Sequence, residues 1–229
     1  MHRPTDQPDL EQLLEALKQW DTPALSNALQ RLGVQPSEHY CTDGSVSLLT
    51  GTRSVGFAVT ATMRAATPGD DAVPVAELHR RIAASPQPVM VMLQDLDPRP
   101  GAGAFLGEVN GTLLDALGVA GLATNGRVRD LDELRQMRYT VHAQGPCVAR
   151  AHMRLTEVDV PVAVAGMTVA SGDLVHGDQH GLLRIPLELA GQVLETAEAI
   201  REEEQSIVTW ARSKDFTTEG LLALRRVRH

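Results

Sequence analysis

The sequence is short of several residue types on which whole classes of protein depend. Aromatic residues make up only 3% of the 229 residues, so surfaces that stack nucleic-acid bases are poorly supplied. No apolar run approaches the roughly 20 residues of a membrane span, and the polar start, MHRPTDQPDLEQ, has no apolar signal core. These shortages predict a cytoplasmic protein that neither crosses a membrane nor binds nucleic acid.

Cysteine and lysine are also scarce. Cys41 and Cys147 are too few and too far apart for a disulfide framework or a zinc cluster, so both are expected to be ordinary thiols. Lys18 and Lys214 are the only lysines, and neither has a context that favours a Schiff base. With 21 basic and 29 acidic residues, the formal charge of -8 would repel nucleic acid. The one basic cluster, RRVRH, is expected to be the solvated end of a last helix.

The length predicts a single domain, residues 1–229, that begins with helices within residues 1–33. Leucines at helical spacing follow Asp9, which is placed to cap a first helix. Thr22 precedes a proline, which is typical of an N-cap followed by the first helical position, and Gly33 is placed to end this second helix. Two helices therefore precede the first strands.

The central and later patterns alternate between strands and helices, which predicts an α/β fold. Residues 54–64 predict a strand with one half-buried face, and a helix at 75–84 leads to an apolar strand at 88–94. A short strand is expected at 139–144, in a second half rich in strands and glycine turns. A helical extension over residues 187–229 begins with a long helix at 187–211.

The stretch GEVNGTLLDALGVAGLATNGRVRDLDE, residues 107–133, concentrates the signals of a binding site. A helix at 107–117 should end at Gly118, before a buried strand at 119–124 and an Asn-Gly turn. Gly107 would let a ligand approach the backbone. The N–H groups of Glu108, Val109 and Asn110 would then face an anion such as a carboxylate.

Arg129 and Asp130 open the element that follows this turn. Adjacent side chains point in different directions, so each can contact a third group as well as its neighbour. The pair is therefore a candidate for holding an anion and a cation together.

The motifs occur in an order that resembles one known family. They are DTPALSNALQRLG, SVGFAVTA, PGDD, GEV followed by GVAGLATNGRVRDLDEL, and VAGMTVASGDLVHGDQHGLLRIP. The most specific signal is Gly107, then Arg129 and Asp130, then Glu133 three residues beyond Asp130. In this order the sequence resembles the family that joins 4-hydroxy-4-methyl-2-oxoglutarate aldolases to the RraA-type regulators of ribonuclease E.

The resemblance implies a divalent-metal site and a pyruvate site. Asp130 would bind Mg²⁺ or Mn²⁺ through a water-rich shell, and Glu133, one turn away, would hold metal-bound water. Arg129 would bind the keto or enolate oxygen of a pyruvate unit. The backbone around Val109 and Asn110 would bind its carboxylate.

Glu108 would orient water or substrate in the same site, as a third catalytic residue beside Arg129 and Asp130. Cleavage of a carbon–carbon bond, or loss of CO₂ beside a ketone, leaves electrons that must collect on an oxygen. A metal ion and a guanidinium on that oxygen stabilise the negative charge without a Schiff-base lysine.

The family fold implied is a three-layer β/β/α swivelling, phosphohistidine-like domain, assembled as a homotrimer or homohexamer with active sites at subunit contacts. A carboxylate from the adjacent subunit is expected, and any of Glu202–Glu204 could supply it; a solvated helix face is the other interpretation. Two residues depart from the family. Asn125 stands where relatives often have Asp, and His180 has either a turn role or a supporting role at the site.

The resemblance thus implies an aldolase that releases pyruvate from 4-hydroxy-4-methyl-2-oxoglutarate or 4-carboxy-4-hydroxy-2-oxoadipate, with oxaloacetate decarboxylase activity. Two alternatives stay open: a regulator that binds ribonuclease E or a helicase, and an enzyme acting on another 2-keto acid. Arg129, Asp130 and Glu133, together with the terminal helices, favour the enzyme over the regulator.

Overall fold

A computed structural model describes residues 10–35 and 39–227, in which helices and strands alternate. The helices are α1 (Leu10–Lys18), α2 (Thr22–Arg31), α3 (Val75–Ala84), α4 (Glu108–Ala116), α5 (Leu131–Leu134), α6 (Ala190–Ala211) and α7 (Thr218–Val227), with a 3₁₀ turn at Leu187–Leu189. The strands are β1 (Ser47–Thr50), β2 (Ser54–Arg64), β3 (Val89–Asp95), β4 (Val119–Thr124), β5 (Thr140–Ala143), β6 (Arg154–Val158), β7 (Val162–Val164), β8 (Met167–Val169), β9 (Leu174–Asp178) and β10 (Gly181–Ile185).

One mixed sheet organises the molecule, in the order β1-β5-β4-β3-β2-β9-β10, with β6 also paired to β2. The strands β2, β3, β4 and β5 run parallel, and their neighbours are antiparallel. The predicted α/β class is therefore confirmed as a mixed α/β fold. Because the four central strands are parallel, their carboxyl ends meet at one edge of the sheet.

The sheet is strongly curled. Oγ of Ser54, at the start of β2, lies 2.6 Å from Oγ1 of Thr140, at the start of β5. Two strands separate β2 from β5 in the sheet, which would place them roughly 14 Å apart if the sheet were flat. The curl therefore brings the amino ends of the parallel strands towards each other.

Both faces of the central strands are buried, so the expected half-buried face of β2 is wrong. Every residue of β2 from Ser54 to Met63 is buried. Val59 packs in a core cluster with residues of α3 and α4, whereas the adjacent Ala58 packs with residues of the β7–β8 hairpin. Because β2 has neighbours on both sides and cover on both faces, its small and branched residues do not alternate with solvent.

The second helix begins one residue earlier than the sequence indicates. Asp21, not Thr22, is the N-cap, and its carboxylate accepts a 2.8 Å hydrogen bond from the N–H of Ala24. Thr22 instead turns inward and is buried. Gly33 follows the helix with a φ of 91°, the left-handed conformation that the sequence predicts there. The predicted cap Asp9 lies outside the described residues.

Other predicted boundaries agree closely with the structure. The helix α3 and the strand β4 have the predicted bounds, and β3 is displaced by one residue. Gly118 follows α4 with a φ of 74°, as expected. The long closing helix starts as the 3₁₀ turn, and α7 adds a further helix after it. None of the described helices is long and apolar enough to cross a bilayer.

Buried polar groups attach α2 to the sheet. Thr22 donates its N–H to Oδ2 of Asp178 at 2.9 Å, and its hydroxyl lies 3.0 Å from Nδ1 of His176. Nε2 of His176 lies 3.1 Å from the carbonyl of Trp20, which can only accept. Nε2 of His176 therefore carries a proton, and in the neutral ring the hydroxyl of Thr22 donates to Nδ1. Burial lowers the pKa of His176 to about 4.

Candidate functional site

The candidate site lies where β3 and β4 end, at the carboxyl edge of the parallel strands. After β4 the chain bends at Asn125 and Gly126, and Val128 then forms a parallel bridge with Pro146. The N–H of Val128 bonds the carbonyl of Gly145, and its own carbonyl accepts from the N–H of Cys147. This pairing holds the segment that carries Arg129 and Asp130 in a fixed position.

Asp130 has a left-handed backbone, with φ 56° and ψ 51°. This conformation is uncommon for a residue with a side chain, although Asp tolerates it better than most, and it concentrates at functional sites. One carboxylate oxygen, Oδ2, accepts a 3.0 Å hydrogen bond from the N–H of Glu108 and lies 3.4 Å from Nε of Arg129. About a third of each side chain is exposed, so the ion pair faces solvent.

Gly107 makes this arrangement sterically possible. Its φ of -152° is ordinary extended backbone, so the requirement for glycine is one of space. A Cβ at this position would lie 2.5 Å from Oδ2 of Asp130 and 2.9 Å from Cγ and Nε of Arg129. The group that approaches Gly107 is thus the protein's own Asp130, whereas the sequence predicted a ligand there.

The first turn of α4 keeps two unpaired donors. Glu108 gives its N–H to Asp130, so only part of the predicted anion site is available. Within the described residues, the N–H groups of Val109 and Asn110 have no protein acceptor. The side chain of Asn110 donates to the carbonyl of Phe105 at 2.7 Å, which fixes the entry to the helix. Two adjacent N–H groups at a helix start remain able to bind a carboxylate.

Two predicted carboxylates stay apart from this cluster. Glu108 and Glu133 are exposed, and neither side chain has a partner in the part of the chain that the structure describes. The structure therefore brings together Gly107, the backbone of Glu108, Arg129 and Asp130. The side chains of Glu133 and Asp130 share no hydrogen bond, although Asp130 is the N-cap of α5 and Glu133 lies within that helix.

The donor set limits the kind of metal ion that would fit. Among the residues described, no three His, Cys, Asp or Glu side chains are arranged to hold a metal ion. A site built on protein ligands alone, as for zinc, is therefore not supported. Asp130 is about a third exposed, and its Oδ1 has no hydrogen-bond partner among the described residues. One carboxylate of this kind suits a hard ion such as Mg²⁺ that keeps most of its water.

A neighbouring network, which the sequence reasoning missed, connects the ends of β3 and β4. Asn125 accepts the N–H of Asp95 at 2.7 Å and donates to its carbonyl at 3.0 Å. Asp95 is buried, and its Oδ2 accepts the N–H of Gly101 at 2.7 Å. Burial raises the pKa of Asp95, although the N–H groups of Asp97 and Gly101 oppose that rise. The sequence signal that could have revealed this network is the acidic pair Asp95 and Asp97, which directly follows the predicted strand at 88–94.

Asp97 continues this network towards β2. Its Oδ2 accepts the N–H groups of Ala65 and Ala66 at 2.8 and 2.7 Å. The loop between β3 and α4 is therefore held at its base by two buried carboxylates. That loop delivers Gly107 to the site.

Cys147 lies beside the site and is a free thiol, as is Cys41. Burial raises the pKa of the Cys147 thiol, and the positive charges of Arg127 and Arg129 only partly oppose this. The thiol therefore stays protonated at neutral pH, which argues against a nucleophilic role. This agrees with the expected role of an ordinary thiol.

His180 and the acidic cluster of α6 lie elsewhere. His180 is in the turn between β9 and β10, where its N–H bonds Oδ1 of Asp178 at 2.8 Å. That turn is next to Ser54 and hence at the amino edge of the parallel strands, opposite the site. Glu203 pairs with Arg31 at 2.8 Å, and its neighbours Glu202 and Glu204 are exposed.

Comparison with curated proteins gives relatives that match part of the chain. An uncharacterised protein of Methanocaldococcus jannaschii is 33% identical over 91 residues, covering 39% of this chain and 44% of that protein. A protein of Halalkalibacterium halodurans, named as a candidate 4-hydroxy-4-methyl-2-oxoglutarate aldolase, is 27% identical over 104 residues, or 45% and 50% of the two chains. A Burkholderia multivorans protein with the same name is 36% identical over 81 residues, covering 35% and 49%. The chain thus spans half or less of these relatives.

Solved structures share the fold over most of the chain. An uncharacterised protein of Pseudomonas syringae has a TM-score of 0.70 at 24% identity, covering 93% of this chain and 98% of its own. An unusual Streptomyces coelicolor member of the RNase ES inhibitor RraA family has a TM-score of 0.70 at 22% identity, covering 91% and 100%. At these identities the likeness is one of fold alone.

The family model described as RraA-like, aldolase/RraA, matches residues 22–184. The match begins at the first residue of α2 and ends within β10, so it includes the whole candidate site and leaves α1, α6 and α7 outside. The resemblance stated from the motifs is thereby confirmed, and the chain belongs to the RraA-like family.

Proposed function

We propose that this chain is a divalent-metal-dependent lyase that releases pyruvate from 4-hydroxy-4-methyl-2-oxoglutarate or 4-carboxy-4-hydroxy-2-oxoadipate and also decarboxylates oxaloacetate. The observation that carries the proposal is the position of Asp130. Its Oδ2 is held between the N–H of Glu108 and Nε of Arg129, and about a third of the side chain is exposed to solvent. When a carboxylate and a guanidinium are fixed side by side, the carboxylate can bind a cation while the guanidinium binds a substrate oxygen.

The pyruvate half of the substrate fits the groups around Asp130. Nε of Arg129 faces Oδ2 of Asp130. The two terminal nitrogens of Arg129 have no protein acceptor among the described residues. These nitrogens are the donors proposed for the keto oxygen, on which electrons collect when the carbon–carbon bond breaks. The unpaired N–H groups of Val109 and Asn110 are the donors proposed for the pyruvate carboxylate.

Asp130 is the residue proposed to hold Mg²⁺ or Mn²⁺, and Glu133 would bind water of its shell. When bound, the ion would supply a Lewis acid for the keto oxygen. Glu108 is exposed at the start of α4 and would orient substrate or water there. The proton that leaves the substrate hydroxyl would pass to such an ordered water.

The lysines give no support to an imine mechanism. Lys18 is exposed at the end of α1, and Lys214 is exposed in the turn between α6 and α7. Neither belongs to the carboxyl edge of the sheet. A catalytic lysine needs burial or a nearby positive charge to lower its pKa, and an exposed ammonium has no burial.

We further propose that the chain forms a homotrimer or homohexamer with its sites at subunit contacts. Three apolar side chains near the site are exposed. Val109 and Leu113 lie on the outer face of α4 at 72% and 45% exposure, and Val148 is 97% exposed. Exposed apolar groups beside a site favour cover by another protein surface. With this assembly we also propose a three-layer β/β/α swivelling arrangement for the fold of each subunit.

A regulator that binds ribonuclease E or a helicase is the second candidate. The exposed carboxylates Glu202 and Glu204 on α6, with the net charge of -8, favour a basic partner surface. Such a role would not need Asp130 in its particular conformation. The backbone of Asp130 therefore favours the enzyme.

The first test is pyruvate formation from 4-hydroxy-4-methyl-2-oxoglutarate and from oxaloacetate with Mg²⁺, Mn²⁺ or a chelator. The proposal expects metal-dependent release from both compounds. A wild-type protein that is inactive with each metal would overturn it. Co-purification with ribonuclease E by the same protein would then support the regulator.

A further inference from the structure

A second arginine lies on the same side of the chain as Arg129. Val128, between Arg127 and Arg129, is completely buried and bridges Pro146 in β-ladder geometry. Side chains alternate along an extended segment, so Arg127 and Arg129 both point away from the core. Residues two apart in such a segment are roughly 6.6 Å apart at Cα. Two guanidinium groups can therefore face one small molecule.

The stem of Arg127 is held in place. Gly101 has a φ of 96°, and a Cβ there would lie 2.6 Å from Cγ of Arg127, so the side chain lies directly against this backbone. NH1 of Arg127 donates to the carbonyl of Pro146 at 3.2 Å. Gly101 itself is fixed, because its N–H bonds the buried carboxylate of Asp95. The position of Arg127 thus depends on the same network that supports the strand ends.

No carboxylate in the described part of the chain compensates the charge of Arg127. Within the described residues Arg127 forms no ion pair, whereas Arg129 is paired with Asp130. The carboxylate of Asp95 is directed at the N–H groups of Asp97 and Gly101. An arginine held by one neutral acceptor keeps donors that match a carboxylate in geometry and charge.

We propose that Arg127 binds the second carboxylate of a dicarboxylic 2-keto acid, while Arg129 and the start of α4 bind the pyruvate half. This inference rests on the proposed lyase function and assigns its specificity. For the aldol cleavage, the substrate class is then a 2-oxo acid with a carboxylate on C4. A compound that carries a methyl group in place of that carboxylate would be a poor substrate.

The reaction itself shows which kinetic constant Arg127 controls. In 4-hydroxy-4-methyl-2-oxoglutarate the C3–C4 bond breaks, and its electron pair moves to C3 and the C2 keto group. The C4 hydroxyl loses its proton as C4 becomes a carbonyl, and C3 later gains a proton to give pyruvate. The C4 carboxylate stays on the second pyruvate and has the same charge throughout. Arg127 therefore acts on KM more than on kcat.

The test compares 4-hydroxy-4-methyl-2-oxoglutarate with 4-hydroxy-4-methyl-2-oxopentanoate, which has a methyl group in place of the C4 carboxylate and yields pyruvate and acetone. The wild type should prefer the dicarboxylate. R127M should raise the KM for the dicarboxylate by about ten- to hundredfold, which is the range for loss of a charged hydrogen bond. The KM for the monocarboxylate and both kcat values should change little. R127K should recover part of the preference.

Arg80 supplies the matched control, because it lies on the surface of α3 in an ion pair with Glu77. R80M removes the same charge and should leave the preference unchanged. If R127M and R127K raise the KM for both substrates equally, or for neither, Arg127 only supports Pro146 and the inference is wrong. The lyase function would still stand. If the wild type cleaves neither compound, the lyase function fails and the inference fails with it.

Discussion

The backbone N–H of Glu108 donates a 3.0 Å hydrogen bond to Oδ2 of Asp130, which is twenty-two residues further along the chain. This bond places a carboxylate at the start of α4, where the unpaired N–H groups favour negative charge. It also explains how Asp130 keeps its left-handed backbone, since tertiary contacts hold both the residue and its side chain. The start of one helix and the N-cap of another are thereby joined into one site.

Replacement of Gly107 by alanine should disrupt this bond. The added methyl group would lie 2.5 Å from Oδ2 of Asp130, so the carboxylate would have to move. We expect pyruvate release to fall by about a hundredfold, because small displacements of catalytic groups have effects of that size. G191A is the control, since a Cβ at Gly191 meets nothing within 4 Å. Full activity of G107A would contradict this geometry.

Asn125→Asp should destabilise the protein. The amide of Asn125 donates to the carbonyl of Asp95, and a carboxylate cannot replace that donor. It would also add negative charge beside the buried Asp95. We expect a loss of about 1–3 kcal/mol in the free energy of unfolding, measured with urea at pH 7. Asn125→Ala loses the same hydrogen bonds but adds no charge. Only the Asp variant should therefore become more stable, relative to the wild type, as the pH falls.

Stability should decrease as the solution becomes acidic. Burial lowers the pKa of His176 to about 4, and burial also lowers the pKa of His142. An unfolded histidine has a pKa of about 6.5, so between these values the unfolded chain binds more protons than the folded one. Stability is then complete above about pH 7 and is lost as pH falls from about 6.5 towards 4.

The size of that effect gives a direct check on His176. A depression from about 6.5 to about 4 corresponds to roughly 3 kcal/mol of unfolding free energy. Urea denaturation at pH 8, 6 and 4.5 should show the decrease, and His176→Gln should have a shallower pH dependence than the wild type. An identical pH dependence in the variant would show that His176 is not its source.

The exposed face of α4 should be a subunit contact. Leu113 is 45% exposed on that face, one turn from the exposed Val109. Leu113→Asp should convert a trimer or hexamer to smaller species in sedimentation velocity and should lower activity with it. Thr112→Asp, at the neighbouring exposed position, tests whether charge alone has this effect. A wild-type monomer would remove the oligomer proposal.

Local signals predicted the elements around the site because each is bounded by strong turn residues. The strand β4 lies between Gly118 and Asn125-Gly126, and its bounds were predicted correctly. Gly118 also adopts the left-handed conformation expected after α4. Such boundaries depend on a few neighbouring residues, which a sequence displays directly.

Contacts between distant residues could not be predicted in this way. The bond from Glu108 to Asp130 joins the starts of two helices, and the pairing of Asn125 with Asp95 joins the ends of two neighbouring strands. Both depend on how these elements pack together. The burial of both faces of β2 likewise depends on its neighbours. Thr22 had the sequence context of an N-cap, but its contact with Asp178 turns it inward.

The central claim is that Asp130 is the residue on which pyruvate release depends. Asp130→Asn keeps the shape and an acceptor oxygen but loses the charge, whereas Asp132→Asn changes an exposed carboxylate two residues away that pairs with Arg135. The measurement is kcat/KM for pyruvate release from 4-hydroxy-4-methyl-2-oxoglutarate with saturating Mg²⁺. We expect Asp130→Asn to lose about a hundredfold or more while Asp132→Asn stays near the wild type. Equal activity of the wild type and Asp130→Asn would contradict the account.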